Sequence, residues 1–308
     1  MRLPDRVVLR EVGLRDGIQS LAAFVATADK VSLLDALSTT GLRRIEATSF
    51  VHPARVPQMA DAAEVLQRAQ RRPGVSYEAL VPNARGLERA AAARADSVAI
   101  VTAASDAFNL KNLQMTVEQS LAAVGQVKAR ADQLGLPSSV GIATSFGCPY
   151  SGEVPLDRLL GIIQRLVDFD IREISLADTT GMANPLQVER TLGAVLDRFG
   201  DRAEFGLHFH NTRGAGLANV LSGLRAGITT YDASVGGIGG CPFAPRATGN
   251  ISTEDAVHML HEMGVQTGID LEALIEVARQ AEGILGQVLP GQVMKAGAVD
   301  WHPAATAA

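Results

Sequence analysis

Residues 97–143 read SVAIVTAASDAFNLKNLQMTVEQSLAAVGQVKARADQLGLPSSVGIA. An apolar, β-branched run at Ser97–Thr102 is followed by a long helical pattern from Val117 to Gly135 and by a second such run at Ser139–Ala143. Short apolar runs bounded by polar punctuation read as buried parallel strands, and the helix between them reads as the crossover that joins them. The helix also carries boundary signals of its own. Thr116 with Gln119 three residues on has the form of a capping box, and Gly135-Leu136-Pro137 has the form of a left-handed stop followed by proline.

The same unit recurs in both directions along the chain. Strands are expected at Val7–Glu11, Arg44–Thr48, Ser76–Val81, Ser97–Thr102, Ser139–Ala143, Glu173–Ala177, Glu204–His210 and Tyr231–Val235. Helices are expected at Asp29–Thr40, Gln58–Arg71, Ala84–Arg94, Val117–Gly135, Leu156–Phe169, Pro185–Phe199 and Ala215–Ala226, with Ser252–Gly264 as the last barrel helix. Eight β-α units predict an α/β fold, a (β/α)8 TIM barrel. A further helix at Leu271–Leu285 exceeds what the barrel needs, so a C-terminal helical extension of about residues 270–290 is expected to cap the barrel or mediate association. No linker, charge run or shift in composition divides residues 1–308, which predicts a single catalytic domain.

Composition limits the function classes. The chain is 47% hydrophobic and 20% charged, with ample apolar surface for a core. Its formal charge of -5 argues against broad attraction to nucleic acid or to an anionic membrane. Two cysteines, Cys148 and Cys241, are too few for a disulfide framework and predict a reducing, cytoplasmic setting. The opening residues carry no signal-peptide pattern, and no apolar run approaches a membrane span.

Active sites of such barrels lie at the C-terminal ends of the strands, so polar residues there are functional candidates. Glu11 and Arg15-Asp16 follow the first strand, Glu46 ends the second, and Asp178 follows the sixth. The seventh ends in Leu207-His208-Phe209-His210-Asn211, where residues two apart project to one face. An H-x-H pair on a strand, taken alone, more often serves structure than a metal. Barrel closure, however, brings Asp16 within two strands of the pair, and Asn250 can add an amide oxygen. Asp16, His208, His210 and Asn250 form an oxygen and nitrogen set without thiolates, suited to magnesium or manganese rather than structural zinc.

The motifs EVGLRDGIQ, IEATSFVHPARVPQMAD, ADTTGMANP, LHFHNTRGAGLAN and GGIGGCPFAPRATGN stand in order at the ends of the first, second, sixth, seventh and eighth predicted strands. In these motifs the chain resembles the 3-hydroxy-3-methylglutaryl-CoA (HMG-CoA) lyases of the DRE-TIM metallolyase superfamily over nearly its whole length. The resemblance implies cleavage of HMG-CoA to acetoacetate and acetyl-CoA by retro-Claisen chemistry, an activity of leucine degradation and ketone-body metabolism, with a divalent metal, Mg or Mn, bound by Asp16, His208, His210 and Asn250. It makes Arg15 the residue that stabilises the enolate, Cys241 its proton donor, and His208 or Asp16 the base. Glu46 and Asp178 match acidic positions that orient Arg15, move protons or hold the barrel rim. Lys111, in Asn109-Leu110-Lys111-Asn112, and Arg246 are the expected contacts for CoA phosphate or a second carboxylate, and a homodimer or higher homo-oligomer is a family expectation. Cys148 reads as buried and inert.

The chain departs from the family pattern at Ser20-Leu21-Ala22, where Asn-Glu-Lys is common, and at Pro245-Arg246, where small residues are usual. These departures leave open the same chemistry on citramalyl-CoA or a longer branched glutaryl-CoA. An acetyl-CoA-dependent condensing synthase is a further alternative, disfavoured by the GGCP loop and by the lack of an added regulatory domain. A metal-stabilised scaffold without turnover is disfavoured by the intact Arg15, Asp16, Cys241 and Asn250.

Overall fold

Eight parallel strands close in sequence order into a barrel: β1 (Val8–Glu11), β2 (Arg44–Ser49), β3 (Ser76–Leu80), β4 (Ser97–Ala103), β5 (Ser138–Ala143), β6 (Glu173–Asp178), β7 (Glu204–Phe209) and β8 (Thr230–Ala233). Closure comes from β1, which pairs with both β2 and β8. The computed structural model describes residues 3–240 and 249–301. The helices are α1 (Thr27–Leu37), α2 (Ala62–Arg68), α3 (Ala84–Ala92), α4 (Asp106–Leu113), α5 (Val117–Gln133), α6 (Leu156–Asp168), α7 (Pro185–Phe199), α8 (Gly216–Arg225), α9 (Thr253–Glu262), α10 (Leu271–Leu285) and α11 (Val293–Ala296). The expected barrel is thus present, with most boundaries within two residues of their expected places.

Local chemistry explains these elements. Thr116 Oγ1 accepts from Gln119 N while Gln119 Oε1 accepts from Thr116 N, the reciprocal capping box that starts α5. Gly135, at φ +65°, takes the left-handed position after its end. In α6 the buried residues Leu159, Leu160, Ile163, Leu166 and Val167 recur at helical spacing, so one face packs inward while the other meets water. Strands enclosed by helices need no alternation, and β4 buries five of its seven residues.

Three elements depart from expectation. Residues Gly13–Gly17, directly after β1, form a π-helical turn. The stretch Asn109-Leu110-Lys111-Asn112, for which no helix is expected, is the second half of α4, which is capped at its start by the Ser105 side chain. Buried Asn109 donates to the carbonyls of Met115 and Thr116 and so ties α4 to the start of α5. The C-terminal extension, expected to cap the barrel or mediate association, packs against α1, α9 and the 3-10 turn Val235–Gly237 that follows β8. Gly291 N donates to Gly236 O, and Leu289 N to Glu282 Oε2.

Two buried carboxyls brace that same turn, Glu11 at the end of β1 and Glu254 in the first turn of α9. Glu11 Oε1 accepts from Gly13 N and Val235 N at 2.7 and 2.9 Å, and Oε2 accepts from Thr253 Oγ1 at 2.6 Å. Glu254 Oε2 accepts from Gly236 N at 3.0 Å. Burial pushes both carboxyls up to about 7 despite these bonds. The folded value of Glu11 lies above its ordinary 4.5, so its contribution is complete below the latter and is lost as pH rises to about 7.

Glu11→Gln keeps an acceptor for the two amides and offers an N–H to Thr253. Urea titrations at several pH values should show the variant losing less stability across that window, by up to about 3 kcal/mol; an unchanged slope contradicts the assignment. Thr116→Ala should lower unfolding free energy by about 1 kcal/mol through loss of the cap, read from the urea midpoint at constant slope.

Candidate active site

Asp16 leaves the π-helical turn after β1, His208 lies near the end of β7, His210 follows that strand, and Asn250 bridges to His210 through backbone pairing. One ligand atom from each of Asp16, His208 and His210 lies within 4.8 Å of the others. A single ion with bonds of roughly 2.0 to 2.3 Å holds ligand atoms at about that spacing. The Asn250 amide fits the same centre: its Nδ2 donates to Asp16 Oδ2 at 3.0 Å and to Ile238 O at 3.2 Å, while its buried Oδ1 has no partner among the described residues. A Cβ at Gly239, at φ +146°, would meet Asn250 Nδ2 at 2.8 Å, so a glycine there keeps the amide in place. The donor set fits a divalent cation.

The electrostatics favour a cation too. Burial would raise the Asp16 carboxyl, but Arg15 and the two imidazoles outweigh it and hold Asp16 well below the usual carboxylate range. Its Oδ1 accepts from Arg15 Nη1 at 2.7 Å and Gln19 Nε2 at 3.2 Å, and Oδ2 lies 3.7 Å from His210 Nε2. Burial lowers His208, whereas its hydrogen bond to Asp232 and the charges of Asp16 and Asp232 raise it further.

Arg15 is pinned on the other side by Glu46, whose Oε2 accepts from Arg15 Nε at 2.6 Å. Burial pushes the Glu46 carboxyl up against the opposing pull of Arg15 and Arg10. Glu46 and Asp16 thus hold the guanidinium through two different nitrogens, Nε and Nη1, and Nη2 makes no hydrogen bond to a described residue. Asp178 stands apart from Arg15. It accepts from Met182 N at 2.7 Å and Ala183 N at 3.0 Å, holding the turn after β6, and burial raises it while those amides and the imidazoles oppose.

Lys111 is exposed in the last turn of α4, 4.7 Å from the Tyr150 ring centroid, and outside the cluster around Asp16. Cys241 and Arg246 fall outside the described residues. Cys148 is fully buried, and its Sγ accepts from Tyr150 N at 3.4 Å.

Two charged residues escaped the sequence reading. Asp232, inside β8, lies 3.2 Å through Oδ2 from His208 Nδ1, and buried Arg10, inside β1, donates to both Asp232 oxygens. The sequence reading looked past strand ends for chemistry. The available signal was within the strands, since a charge in an otherwise apolar buried strand needs a partner.

The HMGL-like family model matches residues 6–280. The hydroxymethylglutaryl-CoA lyase of Bacillus subtilis is 43% identical over 292 residues, 95% of this chain and 97% of that protein. The (R)-citramalyl-CoA lyase of Chloroflexus aurantiacus is 42% identical and covers 96% of each chain. Among solved structures, an HMG-CoA lyase from Acinetobacter baumannii in complex with coenzyme A and 3-methylmalate superposes with a TM-score of 0.92 at 42% identity, covering 99% of both chains. With the barrel, the cluster at its mouth and full-length similarity in agreement, the chain belongs to the HMGL-like family.

Proposed function

We propose that this chain is a single-domain, divalent-metal-dependent carbon-carbon lyase that cleaves HMG-CoA to acetoacetate and acetyl-CoA. The observation that carries this reading is the juxtaposition of an arginine held by two carboxylates with the Asp16, His208, His210 and Asn250 cluster. The relatives that support it include an HMG-CoA lyase covering 95% of the chain. Mg or Mn is the cation that an all-oxygen-and-nitrogen donor set suits. Its place is the cytoplasm, and acyl-CoA is its small-molecule partner.

A cation held by those four residues supplies Lewis acidity to the substrate's tertiary hydroxyl. The residues themselves do the rest. A base, Asp16 in this arrangement because both His208 nitrogens are engaged, takes the hydroxyl proton; the carbon-carbon bond breaks as that oxygen becomes a ketone, and the electron pair moves onto the thioester as an enolate. Arg15 presents Nη2, which bonds to no described residue, to the enolate oxygen. Because Glu46 and Asp16 hold the guanidinium in advance, little reorganisation accompanies the developing charge. Cys241 returns a proton to the enolate carbon, giving acetyl-CoA, and Glu46 acts through Arg15. Lys111 and Arg246 are the proposed contacts for CoA.

A second reading rests on the citramalyl-CoA lyase, which is about as similar as the HMG-CoA lyase. Citramalyl-CoA has the same tertiary hydroxyl and thioester and one methylene fewer before the free carboxylate, so the residues above serve either substrate. Product identity separates the two: acetoacetate from one, pyruvate from the other.

The purified protein with Mg2+ or Mn2+ should release acetyl-CoA and acetoacetate from HMG-CoA, stop with EDTA, and resume on adding metal. Pyruvate from citramalyl-CoA alone would move the substrate, and no release from either would sink the lyase reading. Arg15→Gln should lower kcat by roughly 100- to 1,000-fold, the scale expected for loss of one oxyanion donor, with circular dichroism unchanged; kcat within a factor of a few of wild type would remove Arg15 from the enolate.

A further inference from the structure

We propose that Asp232, clamped by Arg10, is the positioning residue that fixes the His208 ring and leaves its Nε2 lone pair for the cation; this rests on the assignment of His208 as a ligand. The three residues are lateral partners in the barrel, with Arg10 paired in register to Asp232 across β1 and β8, and Asp232 to His208 across β8 and β7. They stand side by side at one level, and all three are buried.

The contacts have a direction. Arg10 Nε donates to Asp232 Oδ1 at 2.8 Å and Nη2 to Oδ2 at 2.7 Å, a fork against a carboxylate that sets the plane of the acceptor. Arg10 is anchored from below, with Nη1 3.5 Å from Ser139 Oγ and 3.6 Å from Glu78 Oε2, and Glu78 is paired in turn with Arg44. Asp232 Oδ2 then faces His208 Nδ1 at 3.2 Å. A carboxylate paired with arginine only accepts, so Nδ1 carries the hydrogen, and Nε2 of the neutral ring is the unprotonated nitrogen. His210 has no such partner: its Nδ1 is buried without a hydrogen bond among the described residues. Among the described residues, His208 alone has its Nδ1 held by a carboxylate, the arrangement that orients and strengthens a metal-ligating histidine. An ion pair that served stability alone would leave the tautomer indifferent to Asp232.

The test uses the full-length, 15N-labelled protein without metal, at an alkaline pH where the imidazoles are neutral. Long-range 1H–15N spectra, with His208 assigned by its loss in His208→Gln, should show the Nδ1–H form. Asp232→Asn should abolish that preference, and calorimetry should find Mn2+ binding roughly 10- to 100-fold weaker. Since Asp232→Asn leaves Arg10 unpaired, the double variant Arg10→Met with Asp232→Leu removes both charges together and should show the same two losses. An Nε2–H ring in the wild type, or a folded variant that keeps the tautomer and wild-type Mn2+ affinity, overturns the proposal. If the variants lose the tautomer while no form binds Mn2+, the positioning role stands and the metal-dependent lyase reading fails.

Discussion

Pairing of β1 with β8 is the contact on which the site depends, because it joins the two ends of the sheet and sets the height of one against the other. Asp16 and Asn250 are 234 positions apart in sequence, yet the closed barrel brings Asn250 Nδ2 to 3.0 Å from Asp16 Oδ2. Register does the rest. With Leu9 opposite Tyr231 and Arg10 opposite Asp232, strand alternation places the two charged residues of that level inside the barrel together. A slip of one residue would turn every side chain of β1 to the other face and separate Arg10 from Asp232 and Glu11 from the turn it braces.

Charge inside a barrel is an unusual filling, since such interiors are dominated by branched apolar side chains. Here Arg44, Glu78, Arg10 and Asp232 run as alternating charges from the floor to His208, and each is paired with the next. A buried ion pair returns little net stability over apolar packing, because both groups lose water. Its benefit is geometric. Each fork fixes its neighbour's plane, so the order imposed by the sheet reaches the imidazole without depending on a loop. Above that level, Glu46 and Asp16 do the same for Arg15, and the two chains of contacts meet at the rim.

Much of this was legible in the sequence because a repeated unit is read many times over. A single β-α-β stretch such as 97–143 is suggestive, and eight in succession fix the barrel even where individual ends move. Residues just beyond strand ends were legible for the same reason: the architecture says which end faces the site, and Asp16, His208, His210 and Asn250 do come together. Lateral neighbours were not. Nothing local tells that Arg10 of β1 sits beside Asp232 of β8 and His208 of β7, since register between strands is a property of the closed sheet. Helix α4 escaped for another reason. Eight residues with mixed polarity carry little periodic signal, and its start depends on Ser105, whose capping role shows only once the backbone is in place.

The same geometry explains why the cluster alone leaves the acyl group undecided. HMG-CoA and citramalyl-CoA share the tertiary hydroxyl and the thioester, which are the parts that the cluster and Arg15 address. They differ by one methylene on the way to the free carboxylate, a difference worth roughly 1 to 3 kcal/mol to a pocket that reads it. A discriminating contact must therefore lie outward from the cluster. The segment after Gln19, where the sequence leaves the family pattern, is built for a fixed shape: Gln58 donates through Nε2 to the carbonyls of Leu21 and Ala23 and accepts through Oε1 from Val25 N. Gln58 is itself buried, and its bonds tie the backbone of residues 21–25 to the turn Pro57–Met59. Ser20, Leu21 and Ala22 put small and apolar groups on that backbone, where the family resemblance leads one to expect Asn-Glu-Lys. The bond-breaking residues are held elsewhere, Arg15 by Glu46 and Asp16 and His208 by Asp232, so a change of side chains at 20–22 leaves those contacts in place.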